Sequence, residues 1–153
     1  MRSDAVLEAK AAALSGFRES GEAHRNCAQA VMLFALHYLD EDTTPVEYAR
    51  YLGGGVGRTG ATCGTITGAA LALGVRDLHS PDTWAGRAPE GVEQLQAIVA
   101  DFTAHHGHTT CRELTGCDIS TPEGYAAFKD RDMAEHRCAG FVDWMCERLA
   151  QVL

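Results

Sequence analysis

Six cysteines stand in a chain of 153 residues: Cys27, Cys63, Cys111, Cys117, Cys138 and Cys146. A thiolate is a soft ligand for zinc and iron–sulfur centres. Without metal it is the attacking group of disulfide exchange. The absence of any Cys-x-x-Cys pair leaves a zinc ribbon or a thioredoxin-type dithiol without support. Cys27, Cys63, Cys111 and Cys138 are separated by 36, 48 and 27 residues, so only a tertiary fold could bring them together. By spacing alone they read equally well as small buried apolar residues.

The elements that would have to position them sharpen the choice. Apolar residues three or four apart in His24–Leu39 (Cys27, Val31, Phe34, Tyr38) mark a buried helical face, and Asn26 is placed to cap it with Cys27 in the first turn. A loop with five glycines in the eight residues from Gly53 to Gly60 runs into a helix expected over Thr62–Leu73 and closed by Gly74, with Gly64 and Gly68 open to a neighbouring backbone. Thr109 and Thr110 precede a short helix carrying Cys111 and stopped by Gly116, and Cys138 opens the last helix, Cys138–Leu153. All four cysteines are therefore expected in or just before a first helical turn. Unpaired N–H groups there, with about half a positive charge, stabilise a thiolate or an anionic cluster.

The remaining segments also read as helices. Val6, Leu7, Leu14 and Phe17 mark Asp4–Phe17; Pro45 opens a short helix ending near Leu52; Thr121-Pro122-Glu123 opens another. Pro81–His106 reads as one helix or as two broken at Pro89, with Val92, Leu95, Ile98, Val99 and Phe102 as core positions. No strand, internal repeat or linker stands out. The expectation is an all-α, single-domain irregular bundle of about six to eight helices over residues 1–153, long enough to bury roughly 70% of its unfolded surface.

Composition excludes other classes. With 21 acidic against 13 basic residues the net charge is −8, which argues against nucleic acid and against a polybasic membrane patch. The longest apolar run, Ala30–Leu36, is far short of the ~20 residues of a membrane span, and the N-terminus has no signal-peptide pattern. A cytoplasmic location is expected, where thiols stay reduced and cysteine sets more often bind metal or do redox chemistry.

Asn26-Cys27-Ala28-Gln29-Ala30-Val31, Gly53-Gly54-Gly55-Val56-Gly57-Arg58 leading to Cys63-Gly64-Thr65-Ile66-Thr67-Gly68-Ala69, Cys111-Arg112-Glu113-Leu114-Thr115-Gly116 and Cys138 together resemble the C-GCAxxG-C-C family of small four-cysteine proteins. Thr65 departs from the alanine usual there. The resemblance implies a redox or metal-cluster role, with Cys27, Cys63, Cys111 and Cys138 as ligands and Gly64 beside the site. The leading expectation is an iron–sulfur cluster, most simply 2Fe–2S, used for electron transfer with a redox partner protein. Metal-free disulfide cycling, for instance between Cys63 and Cys111, and structural zinc in the same pocket stay open. The sequence identifies neither partner nor substrate, and leaves monomer and homodimer both open.

Other signals read differently. Gly55-Val56-Gly57-Arg58-Thr59-Gly60 matches GxGxxG, but a helix rather than a strand precedes it, so the glycines are better suited to passing close to a site and donating N–H groups to sulfur. His105, His106 and His108 read as a solvated helix end. His24 and His136 are candidates for proton handling, and Arg58 and Arg112 for offsetting cluster charge, each against an ordinary surface role. Cys146 reads as packing, and Cys117 as a spare ligand or resolving thiol if not simply buried.

Overall fold

Helix α2 (Cys27–Tyr38) is the axis of the fold, and its sequence explains both its start and its place. The Asn26 side chain accepts a hydrogen bond from the Gln29 N–H at 2.9 Å, while the Asn26 N–H donates to Gln29 Oε1 at 3.1 Å. This reciprocal capping box satisfies two otherwise orphaned donors. Beyond it α2 is apolar on most sides: Ala28, Ala30, Val31, Phe34 and Ala35 have no solvent exposure. A helix of that composition must be surrounded.

The computed structural model describes residues 2–80 and 84–153. Helices α1 (Arg2–Arg18), α3 (Gly64–Asp77) and α7 (Ala139–Leu149) all pack on α2. Helix α4 (Trp84–His106) closes the core through Ile98 and Phe102, and Phe102 meets Phe141 and Trp144 of α7 edge-on. Two short helices, α5 (Cys111–Thr115) and α6 (Pro122–Asp130), complete the set. The protein is an all-α domain. Among the described residues there is no strand, and no helix is long and apolar enough to cross a membrane.

Small residues let α2 and α3 approach. A Cβ at Gly68 would come within 2.8 Å of the Ala28 carbonyl oxygen and 2.9 Å of Val31 Cβ. The close approach read from Gly64 and Gly68 is present, but the helix bounds differ. Helix α3 begins after Cys63 and continues through Gly74 to Asp77, because one glycine costs a helix interior only about 1 kcal/mol. The segment at Pro45 is a 3-10 helix, Thr44–Ala49. Helix α4 continues through Pro89 unbroken; the start expected at Pro81 lies outside the described residues. Val92, read as a core position, is 46% exposed, and Leu7, one of the apolar residues marking α1, is 55% exposed. Their helices bury a narrower stripe than the count of apolar residues suggested.

The last helix holds the largest departure. The helical run does not open at Cys138. It passes through a π-helical turn, Ala134–Cys138, and continues as α7. A π turn inserts one residue into the helical repeat and so rotates the side chains on either side relative to each other. Cys138 is therefore a mid-helix residue, and the expected N-terminal field is absent there.

Candidate functional site

Four separate segments deliver a cysteine to one place. Cys27 is the first residue of α2, Cys63 the cap of α3, Cys111 the first residue of α5, and Cys138 the end of the π turn. All four border one enclosed cavity of about 20 Å³, completed by Gly64, Thr65, Leu114, Thr115 and Phe141.

The means of assembly are local. An antiparallel bridge joins Thr62 to Thr110. Around it the Cys63 N–H donates to the Thr109 carbonyl at 2.8 Å and the Cys111 N–H to the Ala61 carbonyl at 2.7 Å. Cys63 and Cys111 each follow a bridge residue, so the same pairing holds both. A two-residue bridge is too short to show the alternation by which strands are read. Arg137, inside the π turn, donates from Nη2 to the Leu114 carbonyl at 3.2 Å and ties Cys138's segment to α5.

Cys27 has the most structured surroundings. Backbone N–H groups of Gly54, Ala28, Gly64 and Cys27 itself face its sulfur. Gly64 lies so close that a Cβ there would stand 2.3 Å from Cys27 Sγ. The glycine loop makes the Gly54 contact possible: Gly54, Gly55, Val56, Gly57 and Arg58 all have φ between 61° and 69°, in the left-handed region. Only glycine enters that region freely, and Val56 and Arg58 are held there at a cost of roughly 1–2 kcal/mol each. No strand precedes the GxGxxG match, so its glycines shape the approach to Cys27.

Thr65, where the family usually has alanine, adds a polar contact to the site. It is fully buried, and its hydroxyl lies 3.2 Å from Cys63 Sγ. A hydroxyl two residues after a helix-capping cysteine was the available signal.

The thiols are free, and burial is the first cause that holds them protonated. Burial pushes Cys63 up to about 12, with Cys27's charge adding to it, and Cys111 up to about 11 for the same two reasons. Cys138 is raised by burial and by the charges of the other three, and Cys27 by burial against its N–H donors. The folded metal-free chain thus keeps protons that an unfolded chain releases near the ordinary thiol value of 9.0. Stability from these groups is fully present below pH 9 and is lost as pH rises through about 11 to about 12. The urea midpoint of metal-free protein should be flat from pH 7 to about 9 and fall above it, less steeply in Cys63→Ala. A midpoint that rises above pH 9, or an identical fall in that variant, contradicts this assignment.

The remaining candidates fall outside the cavity. Cys146 is fully buried in the main core. Cys117 is buried beside Cys111 and Ile119, and its charge raises Cys111, but it does not border the cavity. His106 packs on Phe102 and Phe141, with ring centroids 4.5 and 4.8 Å apart, and burial holds its pKa low. His108 bonds Glu113 at 3.0 Å, and His136 is exposed. Arg112 pairs with Asp118 at 3.3 Å. His24 and Arg58 instead line an open cleft of about 560 Å³ whose floor includes Cys27, Cys111 and Cys138.

Fold and site thus define a class: a helical protein with one pocket of four cysteines drawn from distant parts of the chain. Residues 25–152 match the family described as "Putative redox-active protein (C_GCAxxG_C_C)", and the chain belongs to that family. Neither a curated relative nor a solved structure matches it.

Proposed function

We propose that this protein carries electrons on an iron–sulfur cluster held by Cys27, Cys63, Cys111 and Cys138. The observation that supports it is the shared cavity: among the described residues, four thiols and no carboxylate or imidazole border one space. That donor set fits iron–sulfur ligation, and four thiolates complete a 2Fe–2S centre. Helix starts at Cys27, Cys63 and Cys111 favour negative charge, and N–H groups facing a ligating sulfur raise a cluster's potential.

Among the described residues no three His, Cys, Asp or Glu side chains stand arranged to hold a metal ion, and the cavity is about the size of one water probe. Loading therefore requires the four side chains to rearrange around the group they bind. The raised thiol pKa values mean that loading releases protons. When bound, the cluster supplies one-electron chemistry. The chain's own contribution is to bind it, donate N–H groups to Cys27 and exclude water. A cytoplasmic location, where free thiols persist, suits this reading.

Anaerobic purification, a visible absorption spectrum and assays of iron and acid-labile sulfide provide the test. Iron and sulfide in equal amounts, with cluster absorption, support the proposal. Stoichiometric zinc without a visible band would assign a structural metal site, and a colourless chain that cycles a disulfide would assign thiol chemistry. Either result overturns it.

A further inference from the structure

We propose that the cleft over the thiols binds a small molecule with a flat apolar body and one anionic group, the anion being held by Arg58. The cleft's volume of about 560 Å³ lies in the range of ligand pockets, roughly 300–1,000 Å³. Its walls carry Phe17, Tyr51, Tyr125 and Phe128, which suit a planar body. In a chain of net charge −8, no carboxylate among the described residues lines this cleft, while Arg50, Arg58 and His24 do.

The two arginines are not equivalent. Arg50 has its Nε and Nη2 donors committed to Glu47, at 3.2 and 2.6 Å, a carboxylate it shares with Arg25. Arg58 pairs with no carboxylate among the described residues; its guanidinium lies 4.4 Å over the Tyr125 ring. An aromatic face orients a guanidinium without consuming its N–H donors, which leaves them available to a carboxylate. Lys129 Nζ also approaches that ring, at 4.6 Å. The second observation is conformational. Arg58 has φ 62°, in the left-handed region that favours glycine, and follows Gly57 at φ 61°. The chain keeps a long cationic side chain at a position where glycine would be unstrained, and that side chain lines the cleft.

A ligand seated this way reaches Cys27, Cys111 and Cys138 at the floor. The inference rests on the redox reading for the role of that floor; the binding itself does not depend on which cofactor the thiols hold.

Isothermal titration of the full chain with 2-naphthoate and with its uncharged counterpart, 2-naphthamide, tests it. The acid should bind at one site about tenfold tighter than the amide. Arg58→Gln should erase that preference while leaving amide binding in place, and Arg58→Lys should retain part of it as a point charge. Far-UV circular dichroism checks folding; if the Gln variant does not fold, the acid–amide ratio in the parent chain and in Arg58→Lys decides. Equal binding of acid and amide, no binding of either at millimolar concentration, or a preference unchanged in Arg58→Gln overturns the proposal. Iron and sulfide are assayed on the same samples. Acid-selective binding by an iron-free chain removes the cluster reading and leaves the ligand site, whereas a loaded chain without acid preference does the reverse.

Discussion

Gly64→Ala is expected to destabilise the protein by about 2 kcal/mol, or roughly 6 °C in Tm, although alanine is the better helix former. The added methyl would stand 2.3 Å from Cys27 Sγ, 3.0 Å from the Ala28 nitrogen and 3.3 Å from the Leu52 oxygen. Two of these are backbone atoms of packed segments and cannot yield cheaply. The sulfur can yield only by leaving the N–H groups that face it, so the substitution should also impair metal loading. Gly74→Ala in the same helix is the control. Among the described residues nothing lies within 4 Å of a Cβ there and its φ is not left-handed, so the change should stabilise by about 0.5–1 kcal/mol. Urea melts of the two variants read the difference directly. Like signs would mean that the contact between α2 and α3 at Cys27 is not tight.

The second large effect concerns which cysteines act as a unit. Individual serine substitutions at Cys27, Cys63, Cys111 and Cys138 should each lower bound iron and sulfide by roughly tenfold or more, since loss of even a supporting contact to a ligand costs about 10–100-fold. Cys146→Ala should leave loading intact, because that side chain is buried in the main core and borders no part of the cavity. Cys117→Ala tests the remaining thiol: it touches the Cys111 neighbourhood and not the cavity, so loading should persist. Full loading in Cys63→Ser, or its loss in Cys146→Ala, would redraw the ligand set.

Local chemistry was legible wherever a contact spans a few residues. Asn26 and Gln29 form their capping box within one turn. Thr110 and Thr121 cap α5 and α6 through the Glu113 and Gly124 N–H groups, and Gly116 ends α5 at φ 67°. Each follows from the hydrogen-bonding needs of a helix end, which neighbouring residues meet. For the same reason Cys27, Cys63 and Cys111 could be placed at helix starts. Cys138 could not, because the π turn that carries it has no signature of its own and is stabilised by packing, including Arg137's bond to the Leu114 carbonyl.

The residue types alone determined an all-α fold, a set of free thiols and the glycine-rich approach to them, since these depend on periodicity, capping and composition. Only the tertiary structure decided that the four sulfurs share a cavity, that Thr62 and Thr110 pair to set Cys63 beside Cys111, and that Arg58 turns toward an aromatic cleft. The physical reason is range. A cap or helix stripe is settled by residues one turn apart, whereas a shared pocket depends on the closing of long loops, whose cost is recovered only when the whole core packs.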